Sequence, residues 1–198
     1  MNASVDDIRQ SIRYRRRRLG AGFKSRAASV LVNKIKASSV YQRSKHIALY
    51  LENDGELSCR PLIKQIWKDG KCCYLPVLAP KQASPPMRFS MYRPGAALVK
   101  NRYGIFEPTG TQGRLPQSLD LVLMPLVAFD AVGHRIGMGG GYYDRSFAFK
   151  SGVGVSGRAK KVCPIKAPFL MGVAYRFQKV KSISPQAWDV MPDRVLAV

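Results

Sequence analysis

Residues 46–51, His-Ile-Ala-Leu-Tyr-Leu, are apolar and rich in strand formers, and residues 72–78 repeat that character. Between them, residues 61–68 place Leu62, Ile63, Ile66 and Trp67 on one helical face, and Gly70 stops the helix. Strand, helix and strand in this order leave little freedom of topology. A crossover of this length joins parallel strands and turns right-handed, because a right-twisted strand feeding a helix packs back onto the sheet only that way. Parallel strands are buried on both faces, so helices must cover both. The expectation is an α/β fold, a single domain over residues 1–198 built on an open, mainly parallel sheet with helices on both faces.

Other segments extend this plan. Val5, Ile8 and Ile12 fall at helical spacing, and Arg9, Arg13 and Arg16 form a cationic stripe on another side of the same helix. Arg15 to Arg18 read as a largely solvated basic face. A second helix, about residues 25–36, carries Ala28, Leu31 and Ile35 as its core stripe. Residues 87–92 read as an edge strand, 119–130 as a buried apolar run, and 171–175 and 195–198 as further strands. In an open α/β sheet, ligands bind past the carboxyl ends of the strands. That rule puts Glu52-Asn-Asp-Gly-Glu56 on the functional side, together with the loop that follows residue 130.

This second loop reads Gly133-His-Arg-Ile-Gly-Met-Gly-Gly-Gly-Tyr-Tyr-Asp-Arg145. Gly137, Gly139, Gly140 and Gly141 free the backbone for positive φ, so that several N–H groups can turn toward one anion. Arg135 and Arg145 flank the cradle with charge, and Asp144 supplies the hard oxygen ligand that Mg²⁺ prefers. Two aromatic residues, Tyr142 and Tyr143, set it apart from a plain surface turn. It matches neither of the familiar phosphate loops: no Gly-Lys-Ser/Thr closes it, and Tyr142 stands where a dinucleotide fingerprint needs Gly. Residues 152–157 do show the G-x-G-x-x-G spacing, but no clear strand precedes them and Pro164 leaves no room for the helix that must follow. They read as a basic loop.

Composition narrows the class. In 198 residues, 33 Lys plus Arg face 12 Asp plus Glu, a formal charge of +21 that concentrates anions of any kind near the surface. Four cysteines, Cys59, Cys72, Cys73 and Cys163, show no metal spacing, and neighbours Cys72 and Cys73 would point to opposite faces of their strand. Reduced thiols and a cytoplasmic location are expected, with no membrane segment.

The stretch from Arg135 to Arg145 closely resembles the signature of the 5-formyltetrahydrofolate cyclo-ligase family, the methenyltetrahydrofolate synthetases. The likeness extends through the N-terminal arginines, Asp54-Gly-Glu56, Gly104-Ile-Phe-Glu-Pro108, Met124-Pro-Leu-Val-Ala-Phe-Asp130 and Trp188-Asp189, and is weakest over residues 151–166. It implies a Rossmann-like three-layer domain that uses ATP to convert 5-formyltetrahydrofolate to 5,10-methenyltetrahydrofolate. ATP would be held by Arg9, Arg13, Arg135, Gly137, Met138, Gly139, Gly140, Gly141 and Tyr142. At the first of these the chain has Arg where other members carry Lys, which keeps the charge and changes the donor geometry. Arg135 and Tyr142 would serve catalysis, with Tyr142 between the two substrates.

For Glu56 the residues alone leave two readings, a surface carboxylate or an acceptor for the N–H donors of a pterin; the resemblance favours the acceptor and adds Leu51 to the substrate site. It also implies Asp189 as the second Mg²⁺ ligand beside Asp144, leaving Asp193 as a structural acid. Tyr103, Phe106 and Glu107, in a loop over residues 100–108, either line the folate pocket or simply pack. His46 is a packing or surface residue, and His134 at most an accessory to phosphate binding. The expected partners are the two small-molecule substrates of a monomer. Two alternatives stay open: a basic nucleic-acid-binding protein, which no zinc spacing or RNA-recognition motif supports, and a related ATP-dependent ligase acting on another small substrate.

Overall fold

The computed structural model describes residues 4–79, 83–109, 113–150 and 168–198. The glycine spacing at residues 152–157 and Cys163 lie outside them. Helix α1 (Val5–Arg17) starts at a capping box: Ser4 Oγ accepts from the Asp7 N–H at 3.1 Å, and the Asp7 carboxylate accepts from the Ser4 N–H at 3.1 Å. Asp6 and Asp7 in its first turn and Arg15, Arg16 and Arg17 in its last both suit the helix dipole. Helix α2 (Ala21–Lys36) begins one turn earlier than the sequence suggests, with Gly20 as N-cap, and buries Ala27, Ala28, Leu31 and Ile35. A short α3 (Ser39–Arg43) buries Tyr41.

The βαβ unit forms as expected. Strand β1 (His46–Ala48) leads through α4 (Arg60–Lys68), with Pro61 in its first turn, to β2 (Cys72–Leu78), and the strands pair in parallel with Ile47 opposite Cys73. The β1 strand is shorter than the apolar run: Leu49, Tyr50 and Leu51 stay buried beyond it, the Leu49 N–H donates to the Tyr74 carbonyl at 3.0 Å, and the Tyr50 hydroxyl donates to the Leu57 carbonyl at 2.8 Å. Strand β3 (Met87–Met91) runs antiparallel to β2 at the sheet edge.

Residues 100–108, expected as a loop, instead contribute to a hairpin of β4 (Leu98–Lys100) and β5 (Phe106–Pro108). Its tight turn is specified by Asn101, whose Oδ1 accepts from the Tyr103 and Ile105 N–H groups at 2.9 and 3.2 Å, and by Gly104 at φ 73°.

The apolar run at 119–130 yields β6 (Leu121–Pro125) and then β7 (Ala128–Phe129), which hairpins onto β8 (Arg135–Ile136). Helix α5 (Tyr142–Phe147) follows the glycines, and β9 (Phe169–Ala174) and β10 (Arg194–Ala197) complete the sheet. Strand order is β10-β9-β6-β1-β2-β3, with every pair parallel except β2–β3.

Both faces are dry, as near-continuous apolar strands require. On β6, Leu121 and Leu123 join Leu31, Ile35, Leu62 and Ile66 on one side, while Val122 and Met124 meet Phe147 of α5 on the other. Cys73 and Cys72 divide between the same two faces. Helix α1 lies on neither. Its Ile12 packs with Val127, Ala128 and Ile136, which seats α1 just past the carboxyl end of β6, where ligands are expected. Among the described residues no helix is long and apolar enough to cross a membrane.

Candidate active site

The β7–β8 hairpin delivers Arg135 and Ile136 in extended conformation, and the chain then enters the glycines. Gly139 (φ 91°) and Gly141 (φ 60°) take the left-handed conformation, Gly141 as N-cap of α5. Met138, Gly139 and Gly140 are exposed, and among the described residues their N–H groups have no acceptor. A Cβ on Gly140 would meet the Tyr142 ring at 3.0 Å, whereas one on Gly139 would meet only Arg9 Cζ at 4.0 Å. The loop is thus an open row of donors with an arginine over its middle. Arg9 gets there from the other end of the chain: its Nε donates to the Gly137 carbonyl at 2.9 Å and its Nη1 to Asp6 at 2.6 Å.

Arg135 is buried and largely committed. Its Nε donates to the Val190 carbonyl at 3.1 Å and its Nη2 to Asp144 Oδ1, which also accepts from the Val190 N–H at 3.1 Å. The remaining Nη1 lies beside Gly137, 3.3 Å from where its Cβ would be. Arg135 therefore braces the loop and keeps one nitrogen facing it.

The same contacts bring Asp144 to the segment carrying Asp189, whose Oδ2 accepts from the Gln186 N–H at 2.8 Å. Each carboxylate keeps an oxygen outside these bonds. Asp193 accepts from Lys150 Nζ at 2.5 Å and the Leu170 N–H at 2.7 Å, which holds the start of β9. His134 pairs with Asp130, which also caps the 132–134 turn, so this histidine supports the hairpin.

On the other side of α1 is the turn after β1. Leu51 is buried. Asp54 is gripped by Arg13 Nε at 2.7 Å, by Arg16 Nη2 at 2.9 Å and by Arg17 Nε, and these bonds to arginine hold its carboxyl below the usual range against the effect of burial. Arg13, expected at the phosphates, points to Asp54 here. Glu56 Oε2 accepts from the Asn53 N–H at 3.0 Å, and Arg16 Nη1 lies 3.9 Å from Oε1. Burial dominates this second carboxyl and pushes it up to about 7, with Arg16 pulling the other way. Burial likewise raises the Tyr50 and Tyr143 hydroxyls, and the Glu56 carboxylate adds to both.

Arg16 contradicts the expectation of a solvated basic stripe. Its side chain is fully buried, and Nε also donates to the Asp54 carbonyl at 3.0 Å. The sequence did carry a signal. Arg16 follows Ile12 by four residues, so both lie on the face that α1 turns inward.

Tyr142 bridges to the β4–β5 hairpin. Its hydroxyl accepts from Arg102 Nη2 at 2.6 Å and lies 2.8 Å from the Tyr103 hydroxyl, and these bonds lower its pKa. Tyr103 meets its ring edge-on at 5.9 Å. Tyr103 thus reaches the site and Glu107 does not: Glu107 Oε2 accepts from the Leu78 N–H and from Asn101 Nδ2, fixing the hairpin to β2.

The fold and this site define an α/β enzyme that places an open row of backbone N–H donors beside a buried carboxylate. The model of the 5-formyltetrahydrofolate cyclo-ligase family matches residues 2–198, and the chain belongs to that family of ATP-dependent ligases. It is 38% identical over 151 residues to the 5-formyltetrahydrofolate cyclo-ligase of Haemophilus influenzae, covering 75% of this chain and 73% of the relative. With the protein of that name from Escherichia coli K12 it shares 40% over 146 residues, 73% of this chain and 72% of the relative. The solved structure of the Aquifex aeolicus 5,10-methenyltetrahydrofolate synthetase superposes with a TM-score of 0.76 at 27% identity, over 98% of this chain and 89% of that one.

Proposed function

We propose that this chain cyclises 5-formyltetrahydrofolate to 5,10-methenyltetrahydrofolate, consuming ATP and releasing ADP and phosphate. The observation that carries the reading is the meeting of two remote segments on α1: Arg9 on the Gly137 carbonyl, and Arg16 on Asp54 with Glu56 facing it. A formyl amide is a poor electrophile, and closing the ring requires its oxygen to become a leaving group. Attack of that oxygen on the γ-phosphorus expels ADP; nitrogen 10 then adds to the formyl carbon and gives up its proton, and phosphate departs with the oxygen. No protein nucleophile is needed, because phosphoryl transfer depends on positioning and charge neutralisation.

In this reading the N–H groups of residues 137–141 and the arginines Arg9 and Arg135 hold the phosphates. Arg13 joins them by exchanging Asp54 for phosphate. Leu51 and Glu56 take the pterin, with ionised Glu56 accepting from its ring N–H donors. Tyr142 stands between the substrates, kept in place by Arg102 and Tyr103. The free oxygens of Asp144 and Asp189, on touching segments, are the hard donors suited to Mg²⁺, which characteristically takes one or two carboxylates and completes its shell with phosphate and water. Bound there, the ion would offset triphosphate charge. A cytoplasmic monomer formed as one domain over residues 1–198 belongs to the same proposal.

The test is the absorbance of methenyl product from the purified protein with 5-formyltetrahydrofolate and Mg-ATP. No product, or product without ATP, rejects the reading.

A further inference from the structure

We propose that Arg16 is a positioning residue of the folate site: its buried guanidinium fixes the 54–56 turn against α1 and supplies the positive charge that keeps Glu56 an acceptor. The inference rests on the folate reading of Glu56 given above.

The geometry is specific. Arg16 is fully buried, yet it comes from a run of four arginines whose other members need no burial. Its Nε and Nη2 bind the Asp54 carbonyl and carboxylate, and its Nη1 lies 3.9 Å from Glu56 Oε1. Met138 of the glycine loop touches the same group, its Sδ 4.0 Å from Nη2. The backbone is drawn in equally tightly, since a Cβ on Gly55 would stand 2.7 Å from the Arg16 carbonyl oxygen.

Among the described residues, the charged and titratable groups that face Glu56 are Arg16, Asp54, Glu52, Tyr50, Cys59, Tyr143 and Tyr175. Burial opposes the ionised form most, and Asp54 and Glu52 add to it; Arg16 is the charged group that favours ionisation, with the Asn53 N–H bond beside it. Only the ionised carboxyl can accept N–H donors with both of its oxygens. A protonated Glu56 would point its own donor at the donors of the ring. Arg16 therefore acts on the substrate through another residue.

The experiment is the pH profile of kcat/KM for 5-formyltetrahydrofolate in the wild type and in Arg16→Met, Arg16→Lys and Asp54→Asn, with Glu56 itself followed by carboxyl ¹³C NMR in the substrate-free proteins. In the wild type the acid limb should lie at about 7. Removing the charge in Arg16→Met should raise the limb and the NMR midpoint by about one pH unit or more, a loss of about fivefold or more at pH 7 that largely recovers at pH 9. Arg16→Lys, which keeps the charge, should stay near the wild type. Asp54→Asn should move both readouts down, and it carries the test should Arg16→Met not fold.

A purely structural role would lower stability without moving either midpoint, so unchanged midpoints in the folded variants overturn the inference. A wild type with no turnover, whose Glu56 midpoint still moves in the variants, rejects the folate reading and leaves the Arg16–Glu56 charge coupling standing.

Discussion

Arg9 Nε donates to the Gly137 carbonyl at 2.9 Å across 128 positions of chain. This bond sets the first helix over the glycine loop, and the guanidinium is only partly exposed. Arg9→Ala removes that link together with one cation from the proposed phosphate site. A hydrogen bond to a charged group is worth about 1.5–3 kcal/mol, which corresponds to a rise in KM for ATP of about 10- to 150-fold. KM for the folate should change far less, and the melting temperature by only a few degrees. Steady-state kinetics with each substrate varied in turn separates these quantities.

Asp144 has two duties that its variants can divide. Arg135 is 8% exposed, and Asp144 is the carboxylate that neutralises it. Breaking a buried ion pair by removing one partner costs about 3–5 kcal/mol. Asp144→Ala should therefore lose stability as well as turnover, measured by urea denaturation beside the methenyl assay. Asp189 holds only a local turn, so Asp189→Ala should lower turnover and raise the Mg²⁺ requirement while unfolding almost as the wild type does.

Much of the fold was legible because its strands are continuous apolar runs and its helices keep clean stripes. Ala28, Leu31 and Ile35, read from spacing alone, are all buried. The glycine loop was legible for the same kind of reason: positive φ at Gly139 and Gly141 is a local property that the residue type declares. Partnership is not local. Nothing near Arg16 in sequence shows that Asp54 will meet it, and nothing near Arg13 shows that the same carboxylate will hold it too. The 100–108 hairpin was hidden because its ladder is three residues long and its anchor, Glu107, bonds to the backbone of a strand far away in sequence.

Glu56 makes stability depend on pH with a definite sign. Its carboxyl lies at about 7 in the folded protein against an ordinary 4.5, so between these values the folded state binds more proton than the unfolded one. Stability then falls as pH rises through this window and levels off above it. The contribution of this group is up to about 3 kcal/mol at 1.36 kcal/mol per unit. Glu56→Gln should flatten that slope in urea melts taken from pH 4.5 to 8. It should also raise KM for the folate at pH 8, where the wild-type carboxylate is ionised. An unchanged slope would show that Glu56 is not the buried, late-titrating acid described above.

Gly55 is where backbone geometry and the proposed folate site meet. It sits at φ 75°, and an added Cβ would approach the Arg16 carbonyl oxygen at 2.7 Å, its carbon at 2.9 Å and the Arg17 nitrogen at 3.1 Å. These are backbone atoms of a helix, so no side chain can rotate away to make room. Gly55→Ala should cost about 2–5 kcal/mol, the sum of left-handed strain and overpacking. Gly70 is the matched control: it also has a left-handed φ, 66°, but nothing lies within 4 Å of its Cβ position, so Gly70→Ala should cost only about 1 kcal/mol. The clash has one direction of relief, which is to lift the 54–56 turn off α1. That movement carries Glu56 away from Arg16, so the Gly55→Ala protein that remains folded should show a higher KM for the folate and an acid limb shifted upward, while Gly70→Ala shows neither.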